Sequence, residues 1–255
     1  MDGPRQMTTP KRIAPDRCCG AIIDVQGFFL AQIDKRRRAR IVTNTKNFAR
    51  LLGYLRIPMV VTVERPLEQK GVLPREIGRH LGELAQTFEK DFFDLSKEKT
   101  IRGHLGRLKK KQVIVAGCET DVCVLQSCLG LLSLGYQVFV VEELLFSSSR
   151  NVEAAIVRMK SEGAVFLSYK TLFYELVESV DGSRHTEKIF RAYGPFPDDL
   201  PDTAVVRTAR ISAAGAAAGS SRYSAATATL SRSAGMTWRR NRSSERSDSG
   251  SVRSP

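Results

Sequence analysis

The chain has 255 residues, 42% of them hydrophobic and 26% charged, and carries a formal net charge of +13. No apolar run reaches the ~18 residues that span a bilayer, and the five cysteines, at 18, 19, 118, 123 and 128, are an odd number without framework spacing. These features exclude a membrane-spanning protein and a disulfide-stapled secreted domain, and imply a reduced, intracellular protein with the cytoplasm as its expected compartment.

The first sixteen residues lack an apolar run and are expected to be disordered; their short basic start is also compatible with organelle targeting. "CGAIIDVQ" (19–26) has the pattern of a strand buried on both faces. Ile41, Phe48, Leu51, Leu52 and Leu55 recur at helical spacing over 41–57, and a second β-branched strand follows at 59–64. A helix is predicted over 74–88, with Pro74 at a favoured first position. A weaker one over 100–111 is loosened by Gly103 and Gly106. The third strand (112–117) runs into a helix over 122–135, and the fourth strand covers 136–143. A helix over 151–163 is capped by Asn151 and stopped by Gly163. A fifth strand (164–169) and a helix from 171 complete the pattern.

From 202 onward the composition turns to Ala, Ser and Arg, with nine Arg, no Lys and three acidic residues. Too few large apolar side chains remain to offset the entropy of ordering, so 202–255 reads as a disordered basic tail and 17–201 as one folded domain. Such a tail meets nucleic acid or an acidic partner through charge alone, or simply solubilises the chain. Strands alternating with helices of this length predict a three-layer α/β/α domain around a mainly parallel sheet of five to six strands. Ligands of such sheets bind beyond the carboxyl ends of the strands, which here gather Asp24, Glu64 and the segment 118–123.

Asp24 ends a buried strand, where an unpartnered carboxylate is costly. It is either a loop cap, or a base or orienting group beside a nucleophile. In "GCETDVCV" (117–124) Gly117 permits a sharp turn, and Cys123 falls at the amino end of the following helix. There, free N–H groups and the helix dipole are expected to lower a thiol pKa and hold an oxyanion. Cys118, nearer the strand, and Cys128, further along the helix, read as packing residues. Lys90 lies among Phe88, Phe92 and Phe93; it either snorkels to solvent or is held desolvated against an acid.

The order "DVQ" at 24–26, "KDFF" at 90–93 and "GCETDVCV" at 117–124, together with Ser-Ser-Arg at 148–150, resembles the isochorismatase-like cysteine hydrolases over about residues 18 to 180. The resemblance implies that family's hydrolase fold and a catalytic triad of Cys123, Asp24 and Lys90, with Asp24 taking the thiol proton. It implies backbone oxyanion donors at Thr120 and Cys123, a non-proline cis peptide at Glu119–Thr120, and Gln26, Phe29 and Glu64 in the substrate pocket. The implied reaction is metal-independent, cofactor-free hydrolysis of an amide-like C–N bond of a small molecule through a thioester. The nicotinamidase branch holds a metal with Asp-x-His after the second strand; "VERPLEQKGVLP" has no His there, and His80, His104 and His185 read as scattered surface residues. A homo-oligomer is also implied, with surfaces around Phe146 and Phe173 as candidate contacts. The alternative is a catalytically silent domain acting as a scaffold, nucleic acid being contacted only through the basic tail. A dinucleotide-binding domain is excluded, because "DVQGFFLAQ" lacks the repeated glycines that admit a pyrophosphate.

Overall fold

All residues of β1 (Cys18–Ile23), β2 (Met59–Glu64) and β4 (Gln112–Gly117) are buried, and strands buried on both faces need a cover on each. The computed structural model describes residues 11–178. His185, the domain boundary at 201 and the basic tail lie outside them. With β3 (Ala85–Lys90), β5 (Gln137–Leu145) and β6 (Val165–Leu167), the described residues form one sheet in the order β3-β2-β1-β4-β5-β6. Every pairing is parallel.

Alternation along the strands builds two cores. Cys18 and Ile22 face Phe48, Leu51 and Leu52 of α2 (Lys35–Tyr54) and Leu172 and Phe173 of α8 (Tyr169–Val177). Cys19, Ala21 and Ile23 face Leu105 of α5 (Lys99–Leu108), Leu131 of α6 (Leu125–Ser133) and Met159 of α7 (Glu153–Ser161). Short helices α1 (Gly27–Ala31), α3 (Leu67–Lys70) and α4 (Arg75–Gly78) line the connections. Capping is local: Asp34 accepts from the Arg37 amide at 2.9 Å, Asn151 from Glu153 at 2.9 Å and Ser168 from Thr171 at 3.0 Å. Gly163, with φ of +103°, stops α7 as its position suggests.

Four expectations are corrected. The helix over 74–88 is only α4, and its second half is the edge strand β3, paired with β2 from Met59↔Ala85 to Glu64↔Lys90. An edge strand with one wet side carries no apolar run, so "AQTFEK" hides from a search for buried strands, and the free edge of β2 captures it. Residues 11–16, expected to be disordered, are tied down: Ile13 is buried, its amide donates to Glu175 at 3.0 Å, and Gln112 bonds both the Ala14 amide and the Arg12 carbonyl. Phe146 and Phe173 are core residues, not contact surfaces. His104 is half-buried beside the Phe88 ring, at 5.2 Å between centroids, and His80 is likewise half-buried.

The chain builds β2 and β3 on one side of β1, then crosses to build β4, β5 and β6 on the other, so strand order reverses between β1 and β4. Gly117 ends β4 at this point with φ of +127°, and a Cβ there would lie 2.0 Å from the Ile23 carbonyl oxygen. Gly117→Ala is therefore expected to cost about 3 kcal/mol or more of stability, from strain added to a backbone clash. Urea unfolding followed by circular dichroism measures this, and a loss under about 1 kcal/mol contradicts the close approach.

Candidate active site

Asp24 follows β1 with φ of +50°, a conformation Asp tolerates better than β-branched residues. Its amide donates to Thr62 of β2 at 3.1 Å, and its carbonyl accepts from the Gln26 amide at 2.7 Å and the Cys118 thiol at 3.0 Å. The turn thus aims the carboxylate across the sheet, where Thr62 Oγ1 donates to Oδ1 at 2.7 Å. Glu64 and Lys90 end β2 and β3 opposite one another. Cys123 lies in a π-helical turn, Thr120–Val124, that leads into α6; the Val122 and Val124 amides both donate to the Glu119 carbonyl.

These strand ends bring the three expected residues, and a fourth, to one point. Lys90 Nζ lies 2.8 Å from Asp24 Oδ2, 3.2 Å from Glu64 Oε2 and 3.5 Å from Cys123 Sγ. The contact with Asp24 is an ion pair, and Oδ2 has no aligned hydrogen bond. Cys123 Sγ donates to Glu64 Oε2 at 3.0 Å, and Lys70 Nζ pairs with Glu64 Oε1. Asp24 and Lys90 are wholly buried, while Glu64 and Cys123 are 6% and 2% exposed, so sulfur and Glu64 form the outward side of the cluster.

One donor atom each from Asp24, Glu64 and Cys123 lies within 4.8 Å of the others, a spacing that suits a metal. Lys90 stands in contact with all three, so the cation of this cluster is the protein's own. Burial disfavours its charge, but Asp24 first, then Cys123 and Glu64, raise its pKa. Burial likewise raises Asp24 above the usual carboxylate value, with Lys90 opposing. For Glu64, burial is outweighed by the Lys70 hydrogen bond, the Cys123 thiol and Lys90, and its pKa is lowered. The expectation of a lowered thiol pKa at Cys123 fails: burial, then the Asp24 charge, push it up, and Lys90 recovers only part.

Three further expectations change. The non-proline cis peptide is Cys118–Glu119, one residue before the expected Glu119–Thr120. The Thr120 amide and hydroxyl are both engaged by the Phe146 carbonyl, at 3.1 Å each, so Thr120 anchors the turn and is not a free oxyanion donor. Gln26 is spent on the backbone: it accepts from the Glu64 amide at 2.7 Å and donates to the Glu64 and Gly71 carbonyls. Phe29 is buried, with Lys70 Nζ 6.0 Å from its ring centre. Cys118 and Cys128 are packing thiols, each raised by burial, Cys128 up to about 12.

The serine stretch acts as a clamp. Ser147 and Ser149 hydroxyls each donate to Asp121 at 2.6 Å, and the Ser148 amide donates to Glu119 at 3.0 Å, fixing the turn that carries Cys123. Two members escaped sequence reasoning. Thr62 had a signal, a hydroxyl inside the apolar run "MVVTVE" that must find a partner; Lys70, in a short connecting helix, had none.

The isochorismatase domain model matches residues 21–171. The chain belongs to the isochorismatase family. Isochorismatase family protein 1B of Dictyostelium discoideum is 27% identical over 199 residues, covering 76% of this chain and 92% of the relative. The secreted isochorismatase effector Isc1 of Phytophthora sojae is 32% identical over 170 residues, 65% of this chain and 79% of that protein. Among solved structures, the MAR1 ribonuclease of Caenorhabditis elegans superposes with a TM-score of 0.65 at 25% identity, covering 76% of this chain and all of that one. The YcaC product of Escherichia coli, an octameric hydrolase of unknown specificity, gives 0.67 at 20% identity, covering 73% and 93%, and shares the fold. No helix among the described residues is long and apolar enough to cross a membrane.

Replacing Lys90 by Met strips both buried carboxylates of their shared counter-ion. The expected cost is about 3–5 kcal/mol at pH 7. Without the cation Asp24 rises further above its unfolded value and Glu64 loses part of what lowers it, so the folded state binds more protons and the deficit shrinks as pH falls. Urea unfolding at pH 7 and at about pH 5 measures both effects; a deficit that grows on acidification contradicts the pairing.

Proposed function

We propose that this isochorismatase-family protein is a cysteine hydrolase that cleaves an amide-like C–N bond of a small molecule, with Cys123, Asp24 and Lys90 as its catalytic residues. The observation that carries the reading is Lys90 in contact with the Cys123 sulfur and both carboxylates at the ends of adjacent strands. Cys123 attacks the carbonyl carbon as its proton passes to a carboxylate. The C–N bond then breaks, the amine leaves with that proton, and water hydrolyses the thioester to restore the thiol. Lys90, 3.5 Å from sulfur, stabilises the negative charge that develops there. The Cys123 amide, in the turn before α6, serves as oxyanion donor. No cofactor or metal enters this scheme, and a homo-oligomer is part of it, with exposed Phe28, Phe92 and Phe93 as candidate contacts.

A second reading rests on the likeness to a protein described as a ribonuclease. RNA would then be the substrate or partner, and an RNA oligonucleotide belongs in the same assay.

The test is a panel of small amides and ureas plus the oligonucleotide, run with wild type, Cys123→Ala and Cys118→Ala. Cys123→Ala is expected to lose at least about 10³-fold in kcat/KM on an amide while Cys118→Ala retains turnover. Full turnover by Cys123→Ala sinks the hydrolase reading. RNA cleavage that survives it favours the second.

A further inference from the structure

Lysines and arginines hold seven of the 20 positions of α2, and no acid holds any. Four of these cations are consecutive in its first turn, where the positive end of the helix dipole opposes them and no acidic side chain offsets it. Helices that support themselves in solvent pair opposite charges at i and i+4. Here Arg36 and Arg40, then Lys46 and Arg50, repeat one sign at that spacing. Lys35, Arg36 and Arg40 are exposed and Lys46 and Arg50 half-buried, on the face opposite Phe48, Leu51 and Leu52. Arg38 turns back and donates to the Ala31 and Ile33 carbonyls.

α4 packs on α2 and ends at Arg79, which is exposed. The next residue, His80, is lowered below the ordinary histidine pKa by burial and then by Arg50, Arg79 and Lys46, so cations of two helices converge there. From Arg36 to Arg50 the ridge is about 21 Å long. Among the described residues, Lys35, Arg36, Lys46 and Arg79 have no carboxylate within ion-pair distance.

We propose that this ridge on α2 and α4 docks the sugar–phosphate backbone of duplex nucleic acid, held through its phosphates without preference for sequence. Charge complementarity selects a polyanion, and the segment 202–255, with nine Arg and three acids, is itself repelled. The exposed large apolar side chains of the described residues, Phe28, Phe92 and Phe93 among them, all lie off α2 and α4. A membrane-surface helix needs an apolar face, a protein interface an apolar or aromatic anchor, and a single strand aromatic rings on which its bases stack. The backbone of a duplex needs only cations along its path. This surface is independent of the hydrolase reading, because none of its residues belongs to the cluster around Cys123.

The test is fluorescence anisotropy of a fluorescein-labelled DNA duplex with the full-length protein, between about 50 and 200 mM salt. One variant combines Arg36→Gln, Lys46→Gln and Arg79→Gln. Its control, equal in charge, combines Arg239→Gln, Arg240→Gln and Arg242→Gln. The ridge variant should bind at least about 10-fold more weakly at low salt, and its slope of log affinity against log salt should shrink by about 2 to 3, one phosphate contact per side chain. The control should lose less than half as much, because arginines in a disordered segment must be ordered on binding. Arg36→Lys with Arg79→Lys, which keeps the charge, should retain the wild-type slope. An unchanged slope in the ridge variant, or equal losses in the two triple variants, overturns the proposal. So does binding of the wild type to phosphatidylserine vesicles or to an oligothymidylate strand but not to the duplex.

Discussion

A lysine ammonium wholly removed from water organises this molecule. Taking Lys90 out of solvent costs several kcal/mol unless opposite charges meet it in the interior. Asp24 and Glu64 meet it at 2.8 and 3.2 Å. Asp24, as deeply buried, is costly alone too, while Glu64 keeps Lys70 as a second counter-ion, and the geometry must come from elements rigid enough to hold all three at once. Three adjacent parallel strands supply that: β1, β2 and β3 end side by side, and Asp24, Glu64 and Lys90 occupy those ends.

The sheet also decides which residues could join. Gly117, at the end of β4, lets the chain pass close to Ile23, and the turn beyond it carries Cys123 back over β1. That turn is fixed from outside the sheet. Phe146 holds Thr120, and Ser147 and Ser149 hold Asp121, so the segment after β5 determines where the sulfur sits. The sulfur therefore depends on contacts 26 to 28 residues apart in sequence, and a loosened serine clamp would misplace the nucleophile while leaving the charge cluster intact.

Much of this was legible in residue order. Unbroken apolar runs marked β1, β2 and β4, because strands covered on both faces have no wet side to encode. Asp24, Lys90 and Cys123 stood out through the family resemblance of their motifs. What stayed hidden has a common cause, since it depends on how the chain packs in space. The edge strand β3 has a wet side and looked like a helix until β2 supplied hydrogen bonds. Lys70 reaches Glu64 from a connection whose path no periodicity describes. The Thr120 amide looked free because Phe146 lies 26 residues on, and the thiol pKa was misjudged because proximity to a helix start is legible in a sequence while depth of burial is not.

That last reversal bears on how the site works. A thiol activated in advance would rest as thiolate, the form that metals and oxidants attack. Here all five cysteines are buried, and burial holds Cys123 protonated beside an ammonium that could stabilise its anion. The stabilisation is thus built in but withheld until a proton leaves. With net charge balanced by two lysines against two carboxylates, moving that proton to a neighbouring carboxylate redistributes charge without creating any, and this keeps the step feasible in a dry interior. Reactivity in such a site belongs to the cluster and the arriving carbonyl together, which spares the resting sulfur from indiscriminate chemistry.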